Sequence, residues 1–270
     1  MEINSDQKII KEKKEKVVKE KKEKVVKEKK EKVVKEKPIP ISLKKCFNDS
    51  EPNVYEIGVD EVGRGPLFGR VYAAAVILPK DDSFDHSRMK DSKKFTSKIK
   101  IIEAAEYIKA NAISWAIHYE SEKVIDDINI LQATQSAMHK CIGEIIKKKG
   151  LAQENTKLII DGNYFKSYTI FNVDKKRIEQ IDYTCVEGGD NKYSSIAAAS
   201  ILAKVARDQY IEELCVEHPD LIEKYSLDSN KGYGSKKHMD GIKEHGITVW
   251  HRRSFKPCTP FTPFTPLEKV

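Results

Sequence analysis

Apolar and polar positions follow two different periods along the middle of this chain. Residues 54–59 alternate, which predicts a strand with Tyr55, Ile57 and Val59 on one face. Residues 71–78 are almost continuously apolar and predict a second, buried strand. The period then lengthens. Thr96 is a good N-cap for the stretch KIKIIEAAEYIKAN, where Ile101, Ile102, Ala105 and Ile108 fall at helical spacing. Ile113, Trp115, Ile117 and Tyr119 alternate again as a third strand. Ile130, Leu131, Thr134, Ala137, Met138, Cys141, Ile142 and Ile145 share one helix face. Leu158, Ile159 and Ile160 predict a short buried strand; Ile181, Tyr183 and Cys185 predict another. An Ala-rich helix over 194–216 stops before Pro219. Strands that first pair as a hairpin and then alternate with helices predict an α/β fold, a mixed sheet covered by helices.

The two ends do not share this patterning. Residues 1–37 carry six of the seven net positive charges, as 15 Lys against 8 Glu and 1 Asp. Apolar pairs recur there every eight residues, at Ile9-Ile10, Val17-Val18, Val25-Val26 and Val33-Val34. Eight residues overshoot two helical turns, so the pairs precess and build no coiled-coil stripe. Residues 1–40 therefore read as a low-complexity Lys/Glu tail, disordered or partly helical; the alternative is a polycationic tether to nucleic acid, with a protein partner also open. Residues 41–257 form the expected catalytic domain. Residues 258–270 form a tail with proline at every third position from Pro260 to Pro266, suited to an extended chain or to docking by Phe261 and Phe264.

The longest apolar run, 72–79, is far short of the roughly 20 residues of a membrane span. No membrane partner is expected. Five widely spaced cysteines without a CxxC pair fit a reducing compartment, and the start MEINSD has no apolar leader; the expectation is a cytoplasmic monomer.

Acids and glycines gather where strands end. Asp60 and Glu61 close the first strand before Gly63-Arg64-Gly65; Asp161 closes the strand Leu158–Ile160; Asp190 follows Gly188-Gly189. Each alone is ordinary turn chemistry. Jointly, clustered carboxylates repel unless cations bridge them, and oxygen ligands suit Mg²⁺ or Mn²⁺ in phosphodiester hydrolysis. Alternation would send Asp60 and Glu61 to opposite faces, so a shared site would need a backbone bend, which the glycines permit. The spacing GxGxxxG before a strand is no dinucleotide fingerprint, and no Walker A motif occurs.

These residues resemble the signature of the ribonuclease HII family: Gly58-Val59-Asp60-Glu61-Val62-Gly63-Arg64-Gly65-Pro66-Leu67, then Asp91-Ser92-Lys93-Lys94, Asn129 to Thr134, Ile160 to Asn163, Ser195 to Val205, Lys231-Gly232-Tyr233 and His251 to Phe255, all in order. The resemblance implies a ribonuclease H-like fold with a C-terminal helical portion. It implies an endonuclease that cuts the RNA strand of RNA–DNA hybrids, and duplex DNA on the 5′ side of embedded ribonucleotides, leaving 3′-OH and 5′-phosphate ends. It implies Asp60, Glu61, Asp161 and Asp190 as catalytic ligands of Mn²⁺ or Mg²⁺. Gly63, Arg64 and Gly65 match the loop that senses the ribose 2′-OH, Tyr233 the tyrosine that stacks on the neighbouring deoxyribose, and Lys93 a basic residue near the phosphates. Gly188 and Arg70 depart from the family pattern, the first removing a phosphate contact. The sister type 3 enzymes usually carry glutamate as the fourth acid. Asp190 favours type 2. A non-catalytic nucleic-acid binder would gain nothing from four acids facing phosphates. His251-Arg252-Arg253 reads equally as exposed or as functional; His238 and His245 receive no catalytic role.

Overall fold

The computed structural model describes residues 43–261, so expectations for residues 1–40 and for most of the C-terminal tail lie outside the described residues. The strands are β1 Tyr55–Val62, β2 Val71–Ile77, β3 Ser114–Glu120, β4 Thr156–Asp161, β5 Thr169–Asn172, β6 Arg177–Gln180 and β7 Asp182–Val186. The helices are α1 Lys98–Asn111, α2 Glu122–Lys149, α3 Ser194–Glu217, α4 Asp220–Tyr225, α5 Leu227–Asn230 and α6 Lys236–His245.

Five strands form one sheet in the order β3-β2-β1-β4-β7. β2 pairs antiparallel with both β1 and β3; β4 pairs parallel with both β1 and β7. The expected mixed sheet is therefore present, with α4, α5 and α6 as the C-terminal helical portion. Both faces are covered. Ala74 and Val76 of β2 pack with Ala105 and Ile108 of α1 and with the Ala-rich side of α3. Ile57, Val59, Ala73 and Ile160 pack on the opposite face with Met138, Cys141 and Ile142 of α2. Burial on both faces is what makes β2 read as an unbroken apolar run.

Three local readings change. The cap of α1 is Ser97, whose hydroxyl accepts from Lys100 N, rather than Thr96. The buried stripe of α1 uses Ala104, Ala105 and Ile108, leaving Ile102 38% exposed, because small residues let this helix approach α3. α2 begins earlier than its apolar face suggests and kinks at Asn129 (φ 67°, ψ 163°), whose side-chain oxygen recaps the chain by accepting from Leu131 N and Gln132 N. The β5–β6 hairpin, with Phe171 and Ile178 paired and exposed, occupies the long interval between Asp161 and Asp190. Arg70 lies between the rings of Tyr119 and Tyr210 at 4.1 and 4.2 Å. Cys258 is buried and Phe261 packs against the first core. Among the described residues no helix is long and apolar enough to cross a membrane.

Candidate active site

The parallel pairing of β1 with β4 places the acids. Val59 pairs with Ile160, and the next residues are Asp60 and Asp161, neighbours at the same sheet edge. Asp161 also pairs with Val186, and four residues beyond Val186 comes Asp190. Gly188 makes the turn between them. Its φ of 61° is in the left-handed region, which turns the chain into the short 3₁₀ segment Gly189–Asn191. Gly189 N then donates to Asp161 Oδ1 at 2.6 Å. No bend separates Asp60 from Glu61: both stay in register with β2, opposite Ala74 and Ala73. The strand pairing thus runs on through both acids where a bend was expected, and both lie at the sheet edge.

Charge crowding is evident in the acids. Burial pushes the Asp60 carboxyl well above its ordinary range, and the charges of Glu61 and Asp161 push the same way. Burial also raises Glu61, with Asp161 adding to it, while Arg64 Nη1 opposes this from 3.3 Å. Asp190 is raised by burial, then by Asp91 and Asp161. Asp161 thus adjoins the other three. Among the described residues, no three His, Cys, Asp or Glu side chains are already drawn in as a cage for one ion. The donor set nevertheless fits hard divalent cations: it is all carboxylate oxygen, and Asp60, Glu61 and Asp190 are raised by burial first and then by neighbouring negative charge, which a bound cation would offset.

Two supports for the acids carried no assigned role in the sequence reading. Ser200 on α3 donates to Asp60 and meets the Ser92 hydroxyl at 2.9 Å. The Asn191 amide donates to Asp190 Oδ1 at 2.9 Å and to Asp91 Oδ2 at 3.3 Å, and Lys94 reaches the Asn191 oxygen. The segment 91–94 therefore braces two acids and carries the exposed Lys93 beside them, close enough for its charge to favour ionised Asp190.

The glycine loop is built on buried cations. Arg252, fully buried, uses every guanidinium donor on a main-chain carbonyl: Nε to Gly69 (2.8 Å), Nη1 to Arg64 (3.0 Å) and Pro66 (2.8 Å), Nη2 to Gly63 (2.6 Å) and Arg70 (3.1 Å). Desolvation and the neighbouring Arg207 push its pKa down to about 9, which leaves it charged at neutral pH. Arg207, also buried, donates to Lys231 O at 2.8 Å and lies 5.7 Å from the Tyr233 ring. Gly63 (φ 97°) leaves it room; a Cβ there would stand 2.5 Å from Arg207 Nε. Gly65 faces Tyr233, and a Cβ at Gly65 would stand 3.6 Å from Tyr233 Cε1. Loop 63–66 and Tyr233 are thus adjacent. Tyr233 is 47% exposed, leaving its ring available to a ligand.

His251 and Arg252 are buried and Arg253 is exposed, which resolves the open reading of that triplet. Helical phase marks Arg207: it lies four residues from both Ala203 and Ile211 on the buried stripe of α3. Arg252 lies in the His251–Phe255 segment of the family resemblance, but no periodicity marks it as buried.

Burial, then the charge of His238, pushes the His251 pKa down to about 3; His238 is also lowered by burial. In the unfolded chain both titrate near 6.5. Below that value the unfolded chain binds protons that the folded one refuses, so stability falls as pH drops below about 6.5, for His251 down to about 3, by at most ~1.4 kcal/mol per pH unit for each ring. Thermal midpoints between pH 7 and 5 should therefore fall more steeply for the wild type than for His251→Gln. Equal slopes would contradict this assignment.

The architecture defines a class, the ribonuclease H-like fold. The fold is similar to that of the ribonuclease H2 of Pyrococcus horikoshii (TM-score 0.56, 19% identity, covering 77% of this chain and 97% of that one). It is also similar to the ribonuclease HIII Bst-RNase HIII, solved in complex with Mn²⁺ (TM-score 0.57, 18% identity, 77% and 69%). The ribonuclease HII family model matches residues 57–258. The ribonuclease HII of Bacteroides thetaiotaomicron is 44% identical over 203 residues, 75% of this chain and 90% of that protein. That of Pelagibacter ubique is 45% identical, covering 74% and 95%. The chain belongs to the ribonuclease HII family. It is an endoribonuclease of the ribonuclease H type, acting on nucleic acid with the divalent-metal chemistry general to that family.

Proposed function

We propose that Asp60, Glu61, Asp161 and Asp190 hold Mg²⁺ or Mn²⁺, and that the chain hydrolyses the RNA strand of RNA–DNA hybrids and cuts duplex DNA 5′ to an embedded ribonucleotide. One observation carries the reading: Asp60 and Glu61 of β1 and Asp190 of the turn after β7 gather about Asp161 of β4 at one sheet edge, and burial together with neighbouring negative charge raises the proton affinity of those three. Held by these carboxylates, the ions would supply a water with lowered pKa, more readily deprotonated to a nucleophile, and would offset charge on the phosphate. The chain supplies the rest. Ser200 and Asn191 orient Asp60 and Asp190. Lys93 offers an exposed cation to the backbone phosphates beside the acids.

Choice of ribose falls to the loop. The 2′-OH is the group that separates RNA from DNA at a given nucleotide. With the carbonyls of Gly63, Arg64 and Pro66 turned inward to Arg252, main chain at 63–65 is fixed beside the Tyr233 ring, and glycine allows a sugar to come close. Tyr233 stacks on the neighbouring deoxyribose. Tyr233→Ala should lower kcat/KM about 10-fold or more on a duplex with one ribonucleotide, a loss of ~1.4 kcal/mol of transition-state binding, and change cutting of a long hybrid much less. Equal losses on the two substrates would remove the stacking role.

A further inference from the structure

Behind Tyr233 lie two imidazoles with no place in the chemistry described so far. His238 (α6) and His251 are fully buried, with Nε2 atoms 3.1 Å apart. Their hydrogen bonds admit one neutral proton order. The Tyr233 carbonyl can only accept, so His238 Nδ1, 2.9 Å away, carries a proton. The Thr248 N–H can only donate, so His251 Nδ1, 2.9 Å away, is bare. Neutral His251 is then protonated at Nε2 and donates to the bare Nε2 of His238. The chain runs in one direction, from Thr248 through His251 and His238 to the carbonyl of Tyr233. The Thr248 hydroxyl also meets His251 Nδ1 at 2.9 Å.

The surroundings keep this pair uncharged. Tyr225 of α4 packs against both rings, at 5.9 and 5.0 Å between centroids, with its hydroxyl turned to Gly246 O. Phe68 meets His251 edge-on at 5.0 Å. His245 and His218 stand behind, against Tyr225 and Trp250. Among the described residues no carboxylate acts on either imidazole; the polar influences are the carbonyls of Tyr233 and Gly232 and the rings themselves. A buried neutral pair that joins two segments only through directed hydrogen bonds serves geometry rather than charge.

We infer that His238 and His251 are positioning residues for Tyr233, which fix its main chain against the 63–66 loop and so set the enzyme's preference for an isolated ribonucleotide over a long hybrid. The inference rests on the stacking role proposed for Tyr233. Leu67 N donates to Gly232 O at 2.8 Å, so a shift of the Tyr233 main chain would pass directly to the glycine loop.

The test uses the full-length protein, a duplex with one ribonucleotide, a long RNA–DNA hybrid, and ¹⁹F NMR of 3-fluorotyrosine at position 233. His238→Leu removes one of two donors to the Tyr233 carbonyl, the one from α6, and leaves the Ser235 N–H at 2.7 Å; His238→Asn offers an amide N–H in the place of Nδ1. His238→Leu should lower kcat/KM on the single-ribonucleotide duplex about 10-fold relative to the hybrid, and His238→Asn should restore most of it. Added to Tyr233→Ala, His238→Leu should cost less than about 2-fold more, because both act through one ring. The fluorotyrosine line should split or broaden in His238→Leu and stay single in His238→Asn. Should His238→Leu fail to fold, His251→Leu and His251→Gln form the second pair, Gln keeping a donor for His238 Nε2. Equal losses on the two substrates, fully additive with Tyr233→Ala and with an unaltered fluorine line, would overturn the inference. If Tyr233→Ala itself shows no substrate preference, the stacking role fails instead, and the fluorine line alone decides whether the imidazoles hold the tyrosine.

Discussion

Asp60→Asn should abolish cleavage of both substrates, by at least about 10³-fold, while the metal-free protein becomes more stable. The two effects share a cause. Asp60 is buried beside Glu61 and Asp161, and burial and these two charges push its carboxyl toward the neutral form against the hydrogen bonds it accepts from Ser200 and the Glu61 N–H. An acid whose folded pKa is raised loses folding stability as pH climbs from its ordinary range through the raised value, so at neutral pH without metal the charge is a burden. Asparagine keeps the shape and removes the charge, and thermal midpoints should rise by about 2–4 °C for each kcal/mol regained. It also removes a hard anionic ligand, and with it the chemistry. Melting curves in chelator, set beside cleavage rates in Mg²⁺ and Mn²⁺, check both halves. A variant that cuts at near-wild-type rate, or one destabilised in chelator, would refute the role given to Asp60.

The second large effect is expected at Arg252. Its guanidinium is shared among the carbonyls of Gly63, Arg64, Pro66, Gly69 and Arg70, all in the loop that joins β1 to β2. Arg252→Leu leaves these acceptors without a donor in a dry site. The desolvation of the charged arginine offsets part of the loss, and a net cost on the order of 3 kcal/mol follows. For a domain of this size that is a drop of about 6–12 °C in thermal midpoint. Well below the new midpoint, cleavage should still be reduced about 10-fold or more, because misplacing substrate-positioning groups by an ångström is costly. Arg252→Lys keeps the charge but not the planar fork, and should recover little. Full activity in Arg252→Lys would show that charge alone suffices.

These expectations mark where sequence reading reached and where it stopped. Alternation placed β1, β3 and β7, and the run of small apolar residues placed β2, because two-sided burial leaves a direct trace in composition. Acids at strand ends, beside or just ahead of glycine, are legible in the sequence. Their shared edge follows from the parallel pairing of β1 with β4, which periodicity does not reveal. The kink at Asn129 was missed because a polar residue inside a helical pattern reads as a solvent-facing position, although here it recaps the chain. Arg252 and the His238–His251 pair were opaque for a different reason. Polar residues are surface residues by default, and only tertiary structure shows that one arginine satisfies five carbonyls and that two imidazoles satisfy each other. The supports of the candidate site were thus hidden where its acids were legible.

The account is tested most directly by mapping, at nucleotide resolution, how the wild-type protein cuts a duplex that contains one ribonucleotide, with Mg²⁺, with Mn²⁺ and with chelator. The expected result is a single break on the 5′ side of the ribonucleotide, leaving 3′-hydroxyl and 5′-phosphate ends, in either metal and not in chelator. Breaks away from the ribonucleotide, cutting that persists in chelator, or an intact duplex in both metals would contradict it.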